Sequence, residues 1–188
     1  MGIVAKAAGV GDPIMKILVI AGLVTTALVV GFAMLEKRPG YGAYYGIAKL
    51  TGARLDIGPV DFATLRRHAT DNDALICPAG LCTNAEADGV AKVYDLAPAQ
   101  LLERLTKIGL AEAGTEPLYR SVDRDRTARF VQRSRLMRFP DTIDVEVFPA
   151  NENKSTLAIY SRSLVGRRDF GVNRARVERW LAALDRAN

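Results

Sequence analysis

The chain has 188 residues, nearly half of them hydrophobic and a quarter charged, a composition that excludes a disordered polymer and leaves room for one ordinary domain with a tail. Its net charge of +5 is uneven: residues 1–117 hold 11 Lys/Arg against 12 Asp/Glu, whereas residues 118–188 hold 15 against 9. A basic C-terminal part of that kind either attracts anions (lipid headgroups, nucleic acid, an acidic partner) or is simply a well-solvated surface.

The first element is an uncharged run of 19 residues, 17–35. At 1.5 Å per residue it reaches roughly 28 Å, close to the hydrocarbon thickness of a bilayer. A cleaved signal peptide would have a shorter apolar region and small residues before the cut, and Gly31 with Ala33 makes a poor site. A buried helix of a soluble domain would be amphipathic, and Thr25 with Thr26 does not make this one so. The run is read as a retained transmembrane anchor after a short tail, residues 1–16.

Orientation is contested by two signals. Lys6 and Lys16 precede the span and Lys37, Arg38, Lys49 and Arg54 follow it, which by charge alone places the C-terminal domain in the cytoplasm. The two cysteines argue the other way, because a bond across the short loop Cys77-Pro78-Ala79-Gly80-Leu81-Cys82 would persist only in an oxidising compartment. The spacing is not that of a CxxC redox motif, and no Cys/His pair is left to complete a zinc site. The loop is read as a structural clip on the exported side of a single-pass protein.

Residues 36–60, rich in Gly and Tyr with Tyr41, Tyr44 and Tyr45 together, read as an interfacial linker, and residues 61–188 as a soluble domain. Asp61 suits the cap of a short helix over 62–69, with Phe62 and Leu65 on one face. His68, the only histidine, ends it as a surface residue rather than a catalytic base. Residues 89–96 read as a first strand. Pro98 opens a helix whose apolar face is Leu101, Leu102, Leu105 and Ile108, and Gly109 ends it. Strands follow over 118–123, 128–139, 143–148 and 156–163, with turns at 124–126, 140–142 and 151–154. Ile143, Val145 and Val147 alternate with Asp144, Glu146 and Phe148, as in a half-buried strand with a polar outer face. The last helix runs from Arg174 to about Asp185, with Asn173 at the N-cap, Val172 and Val177 as a staple, and Val177, Trp180, Leu181 and Leu184 on one face. The fold class is α+β: an antiparallel sheet of about four to five strands with helices packed on one face, behind one N-terminal transmembrane helix.

Three stretches stand out for chemistry: Arg133-Ser134-Arg135, Ser161-Arg162-Ser163, and the run from Gly166 to Arg176. Residues two apart on a strand share a face, so Arg133 and Arg135 point together. In a meander, residues 143–148 lie between the two Arg/Ser strands, and Asp144 and Glu146 are flanked by arginine. Cross-strand ion pairs worth about 0.2–1 kcal/mol each are the plain explanation. The last helix complicates it, because Arg174 and Arg176 sit in its first turn, where the dipole disfavours cations by about 0.3–1 kcal/mol each. Either Asp169 compensates, or an anion does, held by free backbone N–H groups with Gly166 and Gly171 allowing close approach. The candidate anion site is Arg133, Arg135, Arg162, Ser163, Gly166, Arg167, Asp169, Asn173, Arg174 and Arg176. On this view, replacing Arg174 and Arg176 with Gln stabilises the fold slightly.

Enzyme readings find less support. One histidine builds no usual metal cluster, the serines lack an activating histidine or lysine, and no phosphate loop is present. No cofactor is expected. Nucleic acid is not expected either, since no helix-turn-helix or RNA-binding signature occurs. The expected partners are the membrane and an anionic small molecule, lipid headgroup or acidic protein. An anchored enzyme of unknown reaction and a purely structural assembly factor remain the alternatives.

The Cys77-Pro78…Cys82 loop, the Arg133-Ser134-Arg135 strand and the SRS-x-x-G-x-x-D-x-G-x-N-x-x-R run before a Trp180-Leu181 helix resemble the domain-of-unknown-function family 1499, over residues 73–184. Members often carry Asn before the second cysteine and Ser after it, where this chain has Gly80-Leu81-Cys82-Thr83-Asn84. The resemblance implies a bacterial or plastid-type membrane-associated or exported protein, which together with the clip is read as a single-pass protein of a bacterial inner membrane with a periplasmic domain, and it brings no activity, cofactor or catalytic residue.

Overall fold

The structure is a computed structural model that describes residues 13–36 (side chains from Pro13 to Gly31), 46, 50, 56–67, 70, 72–118, 125–135, 138–166 and 168–186. His68, Arg167, the tyrosines at 41, 44 and 45, and the flanking cations Lys6, Lys37, Arg38, Lys49 and Arg54 lie outside the described residues.

Helix α1, Pro13–Glu36, starts before the uncharged run and takes in Lys16. Its stretch Pro13–Gly31 has a mean hydropathy of 2.3, is long and apolar enough to cross a membrane, and is not buried by any described residue. The hydroxyls of Thr25 and Thr26 donate to the carbonyls of Ala21 and Gly22, four residues back. Both polar groups are thus satisfied inside the helix, as an apolar medium requires.

The remaining elements are β1 Asp73–Cys77, β2 Gly89–Val90, α2 Pro98–Ala111, β3 Thr115–Pro117, β4 Thr127–Arg133, β5 Pro140–Asn151, β6 Lys154–Ser163 and α3 Val172–Arg186. They form one α+β unit around a six-stranded sheet of order β2-β1-β6-β5-β4-β3. The sheet is mixed, because β2 runs parallel to β1 while the other neighbours are antiparallel. The expected meander is present as β4-β5-β6. Its second hairpin turns through Glu152 and Asn153, whose φ of 59° suits an asparagine.

Several boundaries differ from the sequence reading, each for a local reason. The first strand is Asp73–Cys77, a short apolar run that the expectation left in the approach to the cysteine loop. Of residues 89–96 only Gly89 and Val90 pair as a strand, and Tyr94 returns to the sheet through an isolated bridge to Ser155. Asp61 caps as expected, its carboxylate accepting the Ala63 N–H at 3.0 Å and the Thr64 hydroxyl at 2.9 Å, but a turn at residues 62–64 replaces the short helix. Leu118 pairs with β4 through its N–H to the Arg129 carbonyl, and residues 119–123 of that expected strand lie outside the described ones. Residues 140–142 open β5 instead of forming a turn, because the chain has already reversed between Ser134 and Phe139.

Helices α2 and α3 pack on one face over Phe130, Ile143, Val145, Val147, Leu157 and Ile159. Trp180 is fully buried there, edge-on to Phe130 with ring centroids 5.4 Å apart. Gly109, expected to end its helix, lies inside α2, where a Cβ would stand 2.6 Å from the Trp180 ring. Glycine is there for the close approach of α2 to α3 and not for a cap.

The opposite face is also covered. Phe62 and Leu65 bury against Leu75, Ala158, Tyr160 and the Cys77–Cys82 pair. The two cysteines are disulfide-bonded, with Cα atoms 6.2 Å apart. Asp144 and Phe148 therefore do not face solvent as the alternation implied: Asp144 is buried and Phe148 packs on this second cluster.

Candidate functional site

The β4–β5 connection builds the candidate site. Ser134 closes it by donating its N–H to the Phe139 carbonyl and accepting the Phe139 N–H on its hydroxyl, both at 2.9 Å. Arg138 turns the chain with a left-handed φ of 57°, uncommon for a long side chain, and its N–H reaches the Ser134 carbonyl. Beside this loop lie the end of α2 and the first turns of α3. Gly114, with φ of 80°, lets the chain run close under β4, where a Cβ would stand 2.9 Å from the Arg133 carbonyl.

Between these three pieces lies a cavity of about 470 Å³, lined by Arg133, Arg135, Arg138, Arg176 and Arg179 with Glu112 and Asp141 as its carboxylates. Three of the arginines are paired: Arg133 with Glu116 at 2.8 Å, Arg176 with Asp141 at 2.7 Å and Arg179 with Glu112 at 3.0 Å. Burial alone would raise the Glu112 pKa, but bonds from Arg179 and Gln132 hold the carboxyl below the usual range. Arg135 and Arg138 make no ion pair with a described residue, and the Arg138 Nε is buried without a hydrogen-bond partner.

Arg176 is the buried member, 2 % exposed. It donates to Ser161 Oγ, Asn173 Oδ1, Gln132 Oε1 and Asp141. The network continues behind the cavity. Ser163 donates to Asp141 at 2.7 Å, and the Asn173 amide reaches Ser163, the Asn72 carbonyl and Asp169. Asp169 accepts the backbone N–H groups of Gly171 and Asn173 at 2.9 and 2.8 Å. Of the two compensations weighed for the start of the last helix, the structure supplies Asp169, so these N–H groups are not left for an exogenous anion. Asn173, expected at the cap, lies inside α3, and Val172 is 49 % exposed where the staple would have buried it.

Three of the ten predicted residues thus line the cavity: Arg133, Arg135 and Arg176. Ser163, Asp169 and Asn173 belong to the network that holds Arg176. Arg174 is not part of it; 59 % of its side chain is exposed and it pairs with Asp88 at 2.9 Å. Arg162 and Gly166 line a separate cavity of about 250 Å³. Arg162 points to the other sheet face because β6 alternates, and it stacks on Tyr160. Arg167 lies outside the described residues. Arg138 and Arg179 were missed. Arg179 was legible as the residue one turn beyond Arg176, and Arg138 as the end of the loop that Arg133 opens.

The second face holds an ionic cluster that the Arg/Ser motifs signalled only in part, through Arg162 and not Arg129. Asp144 is flanked by arginine from both neighbouring strands, as the meander implied, but the partners are Arg129 at 2.6 Å and Arg162 at 3.8 Å. Glu146 instead stands opposite Thr127 and Ala158. Arg129 also donates a two-pronged bond to Asp56, at 2.7 and 3.1 Å. Burial pushes the Asp144 carboxyl above its ordinary range, against the pull of Arg129 and Arg162. Its Oδ2 has no hydrogen-bond partner. A cavity of about 260 Å³ adjoins it, with Asp61, Arg129, Asp144 and Glu146 among its walls. Among the described residues no group of three or more His, Cys, Asp or Glu is placed to hold a metal ion.

No curated protein matches this sequence. The model of a protein family of unknown function, DUF1499, matches residues 59–184, which take in every strand of the sheet, helix α2 and α3 as far as Leu184, and the chain belongs to that family.

Proposed function

We propose that this protein is a membrane-anchored, envelope-facing module that binds an anionic ligand in the arginine-lined cavity. The layout proposed is a tail over residues 1–16, an anchor over 17–35, an interfacial linker over 36–60 and a soluble domain over 61–188. The Cys77–Cys82 bond supports a periplasmic domain, since such a bond persists in an oxidising compartment. A reporter fused after Asn188 should be active only outside the cytoplasm; activity inside it would reject this orientation.

The observation that carries the binding reading is the Arg138 Nε, buried at the cavity with no hydrogen-bond partner among the described residues. A buried donor left unmade costs about 1–3 kcal/mol, which an acceptor oxygen of a ligand would return. Arg135 beside it adds a second charge with no ion-pair partner among the described residues, and a planar guanidinium suits phosphate or carboxylate. Titration of the full chain in neutral detergent with pyrophosphate should give saturable binding that weakens with salt. Arg135→Gln with Arg138→Gln should weaken it at least about tenfold, for two charge-assisted bonds. No binding, or equal binding by the double variant, would reject the reading.

An anchored enzyme is the second reading, favoured by Asp144: a carboxyl held above its ordinary range by burial, at the wall of a cavity that also presents Asp61 and Glu146. On that reading Asp144→Asn abolishes turnover and leaves pyrophosphate binding in the arginine cavity unchanged.

A further inference from the structure

Phe170 is 95 % exposed, on a backbone with φ of 55°. Both features are unfavourable on their own. A bulky residue in the left-handed region is strained, and an aromatic ring in water forgoes about 2 kcal/mol of burial. The ring stands two residues before Val172, which lines the arginine cavity. Phe139, in the loop closed by Ser134, is another partly exposed aromatic near the same cavity. Arg168, exposed and making no ion pair with a described residue, flanks Phe170. Exposed aromatic residues thus adjoin, along the chain, the residues Val172 and Arg138 that line the cationic cavity, and we take them as its rim.

We propose that this rim docks on a bilayer of anionic phospholipid, with Phe170 among the acyl chains and Arg135 and Arg138 on the headgroup phosphate. The proposal rests on the anion-binding reading and names its ligand. Aromatic side chains settle at the headgroup level and basic ones are drawn to anionic headgroups, so the two features of the rim ask for one surface. A second copy of the chain fits less well, because a two-fold interface across this face would set its arginines against themselves. The tether supplies proximity: the 19 positions between Glu36 and Asp56 span at most about 65 Å, so a domain behind a membrane-spanning α1 never leaves the vicinity of the bilayer.

The test uses the full chain reconstituted through α1 into phosphatidylcholine bilayers, with or without phosphatidylglycerol, the acyl chains brominated. Both leaflets have the same composition, so orientation does not matter. Trp180 is the only tryptophan and is fully buried, so Phe170→Trp adds a reporter over a quiet background. Its fluorescence should be quenched in phosphatidylglycerol bilayers and not in pure phosphatidylcholine. Adding Arg135→Gln and Arg138→Gln should lower the ratio of docked to undocked molecules by roughly 30-fold, the factor for two basic side chains at an anionic surface. Equal quenching in both bilayers, or quenching indifferent to the arginine pair, overturns the proposal. No quenching while pyrophosphate still binds in detergent also overturns it and leaves the anion reading standing; loss of both removes the two together. Self-association in detergent that shields the indole introduced by Phe170→Trp would assign the rim to a second copy and overturn it as well.

Discussion

Arg176→Met removes a guanidinium that is nearly inaccessible and donates to four side chains: Asp141, Gln132, Ser161 and Asn173. Methionine keeps the apolar stem, so the change isolates the polar part. Ser161 and Asn173 still bond each other, and Asp141 keeps the Ser163 hydroxyl, so the full sum of four charged bonds is not lost. What remains is a carboxylate whose countercharge has gone, with its side chain only 15 % exposed. Breaking a buried pair from one side costs about 3–5 kcal/mol. For a folded unit of this size that lowers the thermal midpoint by about 10–20 °C. Trp180, on the same helix, reports the melt. Arg174→Gln is the control, since an exposed pair is worth about 0.2–1 kcal/mol. A loss for Arg176→Met no larger than that of the control would refute the reasoning. The sign is opposite to the one that the helix dipole alone suggested for this position, because the four acceptors outweigh the dipole.

Two further outcomes follow from packing and charge. Gly109→Ala should destabilise by about 1–3 kcal/mol, since a Cβ placed 2.6 Å from Trp180 must displace the ring, although alanine is the better helix former by about 1 kcal/mol; a more stable variant in the same melt would show that α2 and α3 separate freely. For Asp144, folding raises the carboxyl above its ordinary 3.8, so its contribution is present below that value and is lost as pH rises through the folded pKa. Wild type should therefore lose stability relative to Asp144→Asn as urea melts are taken upward from about pH 3.5, and a gap moving the other way would mean that pairing with Arg129 outweighs burial.

What the sequence made legible was periodic or carried by turn residues. The apolar run of α1, the Leu face of α2, the alternation of β5 and the Val177–Trp180–Leu184 face of α3 each follow from a repeat that one side of an element must bury. Asp73–Cys77 escaped because five residues carry too little period to tell a strand from the end of a helix. The polar outer face assigned to β5 failed for a different reason. Alternation reports that the two faces differ, and it does not say that the polar one meets water; here residues 56–67 and the disulfide loop cover it. The arginines divided along the same line. Arg133, Arg135 and Arg176 were found from motifs and do meet at one cavity, whereas Arg162 was assigned to that group by neighbourhood in sequence and is carried to the opposite face by strand alternation.

The cluster on the second face has a consequence for how the domain is held. Asp56 and Gly58, which composition placed in the linker, are bonded to Arg129 in the middle of the sheet, and the Gly58 carbonyl also accepts a bond from Arg162. Arg129 is buried, and burial works against its charge, yet Asp56 and Asp144 together keep its pKa raised. A buried cation cannot lose one of two carboxylates cheaply, so pulling residues 56–58 off the sheet would leave Arg129 short of a countercharge and both Arg129 and Arg162 without the Gly58 carbonyl. The segment that leads into the sheet is thereby stitched to the strands by charge as well as by Phe62 and Leu65. A pull on residues 56–58 would therefore enter the fold at β4, β5 and β6, and β4 and β5 are the strands whose connecting loop carries Arg135 and Arg138.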